Sequence, residues 1–440
     1  MSFGIRRCAR LGVLAIAIAV VVSGVPASAS AKAMSRSAQR LDLRSRALSA
    51  TNNELRYLHT SWFKAIYPAY ETTAAPVYGP DGSLQSTVSV EILPSRLTSI
   101  RAEAMAAYAT AIALNKGYYR TKTVTVSGSV AAHRTVAWIN DLAVSYGRDH
   151  WGSGWQSALW TTYMGFGARM VWNNLPPVTR SLVASDVAAE ADHLLTIDPP
   201  YYMDASGTVL TPGDSKSEED GWNASLLLFA AREFSSNPHS LDWDRQGRWY
   251  ALMALATPAQ VGTDPRIKGS NLNSDGTVTN HSRINPDYMF SVSEMIAKVS
   301  LVSARAGKKV PGEVMNNLGL VWWSLNNRMF PVPQFRPPGG TIYRRGKNHT
   351  PTPNIYYPTS IDRSAVRRFN AAEFDIEVFG AKIDPKSYGW AKAHLDFTLK
   401  QQSRHKAGYI FSKGETAYAE DEQFAAASLA ETTYRLSSMR

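Results

Sequence analysis

Apolar residues recur at three- and four-residue steps through a dozen separate stretches of this chain: 51–66, 95–116, 130–147, 153–175, 177–196, 217–234, 239–256, 286–306, 311–329, 363–380, 387–405 and 416–438. That spacing puts the apolar side chains on one side of a helix, so each stretch needs a partner to cover its stripe. In 95–116 the stripe is Leu97, Ile100, Ala104, Tyr108, Ala111 and Ile112. In 416–438 Phe424, Ala427, Ser428, Glu431, Tyr434 and Arg435 are expected to alternate between a buried and a wet face. An all-α protein follows. No exact period links the helices, which argues against a short-repeat solenoid.

Three of the connections carry turn dipeptides flanked by β-branched residues, VYGPDGSLQSTVSV at 77–90, YYMDASGTVLT at 201–211 and NLNSDGTVTN at 271–280, and read as small β-hairpins. TKTVTVSGSV, at 121–130, reads as an extended segment. About twelve helices with hairpins in the loops are what an (α/α)6 toroid needs, its inner and outer helices alternating and its loops lining a cleft at one end. An irregular helical bundle is the competing arrangement. No proline- or serine-rich linker divides the chain, so one domain is expected over 40–440.

Residues 1–31 have a different purpose. Arg6, Arg7 and Arg10 precede the apolar run LGVLAIAIAVVVSGV, and small residues follow it, with A-x-A sites at 27–29 and 29–31. This is the pattern of a secretory signal peptide, and its run is short for a membrane span. A secreted, monomeric protein without a membrane span is expected. The Arg6-Arg7 pair fits the twin-arginine route poorly, so the general secretory route is favoured. Cys8 is the one cysteine and leaves with the leader, which excludes disulfides, zinc–thiolate sites and cysteine nucleophiles from the mature chain. The net charge is +11, and +8 once the three leader arginines are gone, which favours an anionic partner.

Two stretches carry most of the chemistry-bearing side chains. In GDSKSEEDGWN, 213–223, Ser217 and Asp220 resemble a capping box, and the acids at 218–220 suit the positive end of a helix. Capping does not account for Asn223, which shares a face with Glu219, nor for Lys216 and Trp222. In TNHSRINPDYMF, 279–290, Asn285, Pro286 and Asp287 form a helix start, which leaves Asn280, His281, Arg283 and Tyr288 unexplained. A third stretch, RDHWGSGWQSALW, offers Trp151, Trp155 and Gln156. Trp155 falls on a helical stripe and reads as core, whereas Trp151, in the turn, is the better platform for a sugar face. In a fourth, FRPPGGTIYRRGKNHTPTPNIYYPTS, Arg344 and Arg345 stand among tyrosines, as a paired-hydrogen-bond site for carboxylate or sulfate would require.

The chain contains no H-E-x-x-H, no phosphate loop, no dinucleotide fingerprint, no G-x-S-x-G and no basic aromatic nucleic-acid signature. No metal, cofactor or nucleic-acid partner is expected. In helix count and in these stretches the sequence resembles the secreted bacterial (α/α)-toroid enzymes that act on polysaccharides, a group of lyases and six-hairpin glycoside hydrolases. The resemblance to the alginate-, hyaluronate- and heparinase-type lyases implies β-elimination on an acidic, uronate-containing glycan. Asn223 and His281, or Asn280 in place of Asn223, would neutralise the uronate, Tyr288 would take the C5 proton and Arg283 would support them. The hydrolase alternative implies paired carboxylates, Glu219 or Asp220 with Asp287, about 6.5–9.5 Å apart for an inverting enzyme. A non-catalytic glycan- or cell-wall-binding protein is the third possibility.

Overall fold

A computed structural model describes residues 35–67, 96–147, 151–329, 341–355, 382–412 and 420–438. The leader, hairpin and helix expected over 1–31, 77–90 and 363–380 lie outside the described residues. Helices dominate the rest.

The first helix, α1 (Arg36–Tyr57), starts well before position 51 and runs through a wide π turn to Ile66. Ser35 caps it by accepting from the Ala38 N–H, and burial of Leu43, Ala47 and Ala50 outweighs the polar composition of its first turns. There follow α2 (Arg96–Asn115), α3 (Gly128–Ser145), α4 (Ser157–Met170) and α5 (Pro177–Leu195). The stretch expected to be extended is instead one helical turn, Thr121–Val124, closed by Thr125 in a left-handed conformation. Ser127 then caps α3, so local turn and capping chemistry override the β-branched pattern.

Next come α6 (Ser217–Glu233), α7 (Ser240–Ala254), α8 (Pro286–Arg305), α9 (Leu318–Asn327), α10 (Ser387–Gln402) and α11 (Asp421–Ser438). Left-handed Asn317 separates α9 from the 3-10 turn Gly312–Met315, dividing the helix expected over 311–329. Three two-stranded antiparallel ladders complete the described fold: β1 (Met203–Asp204) with β2 (Gly269–Ser270), β3 (Thr279–Asn280) with β4 (Arg283–Ile284), and β5 (Tyr343–Arg345) with β6 (Pro351–Ile355). The 201–211 stretch folds back on itself as expected, with Met203 bridged to Val209, the Asp204 N–H donating to Thr208 O at 3.0 Å and the Leu210 N–H to Tyr202 O at 2.9 Å, and β1 also pairs with residues 269–270.

Helix contacts follow an alternating order. α2 packs on α4, α4 on α6, α6 on α8, α8 on α11, and α11 back on α2. α3, α5 and α7 lie against these, while α1 packs on α11 and α10 in turn packs on α1 and β6. Burial agrees with that order. Every residue of α11 from Asp421 to Leu436 is buried, so its expected wet face is absent. Several of its polar groups find partners inside: Glu431 accepts from Tyr108 Oη at 2.9 Å and faces Lys298 Nζ at 3.3 Å, and Thr433 meets Thr51 at 2.8 Å. Gly167 lets α4 and α2 touch, since a Cβ there would lie 3.2 Å from the Tyr108 backbone.

Candidate functional site

The two stretches singled out in the sequence are joined edge to edge. Ser215 N–H donates to Thr279 O at 2.9 Å, Ser282 N–H donates to Gly213 O at 2.9 Å, and Asp214 and Asn280 form a β-bridge. This zipper brings the β3–β4 hairpin against the amino end of α6. It also brings together the starts of α6 and α8, which pack on one another.

The hairpin turns at His281 and Ser282, with φ of 50° and 60°. Two successive left-handed residues make the tight turn that suits the twist of a two-stranded ladder, a place usually taken by Asn or Gly. For other L-residues the conformation costs roughly 1–2 kcal/mol each. Here the docking of Ser282 on Gly213 holds it. Gly213 is itself at φ 75°, and a Cβ there would lie 2.9 Å from Ser282 Cα.

On this tip the His281 ring is exposed and faces Tyr288, in the first turn of α8. His281 Nε2 and Tyr288 Oη are 3.0 Å apart, with the rings edge-on at 73°. Asn285 caps that helix by accepting from the Asp287 N–H at 3.2 Å, and Pro286 occupies its first position. Arg283 Nε donates to the His281 carbonyl at 3.2 Å.

The dyad opens onto a cleft of about 390 Å³ lined by Trp155, Asp214, Glu218, Glu219, Trp222, Asn280, His281 and Tyr288 among others. Lys216 ties two of its acids together, reaching Asp214 at 2.7 Å and Glu219 at 3.1 Å. Burial would lower the Lys216 ammonium, but its bond to Asp214 and the charge of Glu219 outweigh burial and hold it above its ordinary value. Asn280, only 4% exposed, donates to Asp214 Oδ1 at 2.9 Å. Glu218 accepts from Ser291 Oγ at 3.2 Å. A smaller cavity of about 130 Å³ adjoins, sharing Trp155, Glu218, Trp222 and Tyr288 and adding Arg101, Gln156 and Asp287.

The roles expected of the two tryptophans are reversed. Trp151 is 2% exposed with its indole N–H on Leu142 O, so it is core and offers no face to a sugar. Trp155 is 65% exposed, because left-handed Ser153 and Gln156 keep the turn out of the helix, and its ring stands edge-on to Trp222 at 5.9 Å. Trp222 itself is buried and lines both cavities.

Other expected residues lie apart from the dyad. Asn223 lies beside Tyr250 of α7 and lines neither cavity, although Glu219, one helical turn before it, lines the main cleft. Asp220 is fully buried. Burial first, and then the charge of Glu219, raise its carboxyl well above the usual range, and Asn271 Nδ2 donates to it at 2.9 Å. Ser217 does not cap: its hydroxyl donates to Ala254 O at 2.6 Å, Lys216 is the cap residue, and no capping box forms. Arg345 donates to Asn326 O and Asn327 Oδ1 at 2.7 and 2.9 Å, tying β5 to α9 rather than meeting the cleft. The Arg344 side chain lies outside the described residues.

Three residues of this region went unnoticed in the sequence. Asn271 is its hub: Oδ1 accepts from the Tyr202 and Lys216 N–H groups, and Nδ2 reaches Pro200 O, Met253 O and Asp220. Nothing in NLNSDGTVTN marks it. Asp214 has no mark of its own in GDSKSEEDGWN, and Glu218 reads there only as a helix-end acid, although the four-residue step from Glu218 to Trp222 places both on one face. Among the described residues no group of three or more His, Cys, Asp or Glu is placed to hold a metal, and no helix is long and apolar enough to cross a membrane.

No protein-family model, curated protein or solved structure matches this chain.

Proposed function

We propose that this is an exported polysaccharide lyase built as an (α/α) toroid, cleaving a uronate-containing glycan by β-elimination. The alternating helix contacts, with α2, α4, α6, α8 and α11 in a ring and α1, α3, α5 and α7 packed against it, support the toroid. The leader-like residues 1–31 and the basic charge support export and an acidic substrate.

The observation that carries the reaction is the His281 Nε2–Tyr288 Oη contact of 3.0 Å at the mouth of an aromatic-lined cleft. In the proposed cycle His281 takes the phenol proton and the Tyr288 phenolate takes the C5 proton. The C5–H electron pair becomes the C4=C5 bond as the C4–O bond breaks. The imidazolium returns its proton to the leaving oxygen, and the dyad ends as it began. Arg283, whose Nε donates to the His281 carbonyl, brings positive charge next to the dyad. The Asn280 amide is spent on Asp214, so Asn280 serves the frame of the cleft rather than the uronate.

One observation favours hydrolysis instead. Asp214, Glu218 and Glu219 line the same cleft as the tryptophans, and no Lys or Arg is among its described lining residues. The separating experiment offers purified protein a panel of uronate and neutral polysaccharides, following the ultraviolet absorbance of an unsaturated uronate alongside reducing ends. Elimination predicts both signals together, and Tyr288→Phe lowers the rate by about 10²–10⁴-fold, the usual worth of a general acid–base group. Reducing ends without the absorbance would move the reaction to the carboxylates. Silence in both would favour a binding protein.

A further inference from the structure

The smaller cavity is not used by the reaction just described, and its charge differs in kind from what a uronate needs. Among the described residues five carboxylates line it, from Glu218, Asp287, Glu294, Glu420 and Asp421, against one guanidinium, that of Arg101. Arg101 is engaged by Glu420 at 3.0 Å, and its guanidinium lies over the rings of Trp155 and Trp160 at 5.6 and 5.3 Å. The cavity continues from the main cleft across Trp155, Glu218, Trp222 and Tyr288, so a chain whose reacting ring lies at the dyad extends into it. Exposed Trp155 stands at the boundary as a platform for the apolar face of a ring.

We infer that the smaller cavity is a second sugar subsite that admits an uncharged ring and rejects a uronate, and that Glu420 sets this choice by occupying Arg101. Hydroxyl groups donate to carboxylates, and an aromatic platform takes a neutral ring face. A second carboxylate brought among five others meets like charge in a confined, partly dry space where screening is weak. Among the described lining residues Arg101 is the one cation able to receive it, and Glu420 already offsets its charge. The inference deepens the lyase reading by naming the ring beside the one that reacts, and it rests on that reading for the direction of the chain.

Tryptophan fluorescence of the intact protein, titrated with a tetramer of alternating glucuronate and N-acetylglucosamine and separately with a tetramer of galacturonate, tests it. The alternating tetramer is expected to bind at least tenfold more tightly. Trp155→Ala, at an exposed position, is expected to abolish that preference. Glu420→Gln releases Arg101 and is expected to raise galacturonate affinity about tenfold. Equal or tighter binding of galacturonate by the unaltered protein would overturn the subsite, as would binding of neither tetramer. If Glu420→Gln does not melt cooperatively, the comparison on the unaltered protein and Trp155→Ala decides. The lyase reading fails separately, when bound uronate polymers yield no unsaturated product.

Discussion

At the scale of the residue, His281 has two duties that a substitution can separate. It sits left-handed at a hairpin tip and presents its imidazole to Tyr288. Asn tolerates that conformation, so His281→Asn is expected to keep stability within about 1 kcal/mol while removing the proton acceptor. Its elimination rate should fall about 10²-fold or more, in line with loss of an acid–base partner. A thermal melt beside a rate assay checks both halves. Asn271 is the opposite case, a residue with no chemistry whose amide serves five backbone and side-chain partners. Asn271→Ala strands buried polar groups at the start of α6 and is expected to cost roughly 3 kcal/mol, measurable by urea unfolding. His281 and Tyr288 were legible because caps and stripes left them over. Asn271 was not, since its partners are remote in sequence.

At the scale of the element, the site is a junction between a helix start, a hairpin and a second helix start. Most helices were legible from their periodicity, and the Asn285-Pro286 start of α8 formed with the expected cap. The Ser217 box did not form, because a hydroxyl that reads as a cap in sequence found the Ala254 carbonyl across the fold. The 271–280 stretch was legible as a turn, but its ladder begins only at Thr279 and folds about His281 and Ser282. That shift came from docking on Gly213, a contact no local pattern encodes. Gly213→Ala would place a methyl against Ser282 in a backbone conformation that side chains rarely adopt. The expected outcome is a displaced hairpin, with kcat/KM falling at least tenfold and α-helical circular dichroism retained. Unchanged kcat/KM would show that the zipper does not position the dyad.

At the scale of the whole molecule, helix count was legible and helix order in space was not, because each stripe records that it is covered and not by what. α11 shows the difference: its polar residues read as a wet face, yet they are partnered from α1, α2 and α8. Since α11 contacts both α2 and α8, removing residues 420–440 is expected to abolish cooperative unfolding, as calorimetry would show. Buried acids add a pH signature. Burial raises the Asp186 carboxyl to about 7. Unfolding therefore releases its proton, and stability falls as pH rises from about 4, the ordinary aspartate value, to about 7. Asp186→Asn should flatten that slope and raise the melting temperature near pH 7 more than near pH 4. The central claim is the reaction itself, and the most direct measurement is the mass of the fragments released from a uronate polymer. Elimination predicts fragments whose masses add up to that of the starting chain, with an unsaturated end that Tyr288→Phe no longer produces. Fragments heavier by one water for each cut, still formed by Tyr288→Phe, would contradict it.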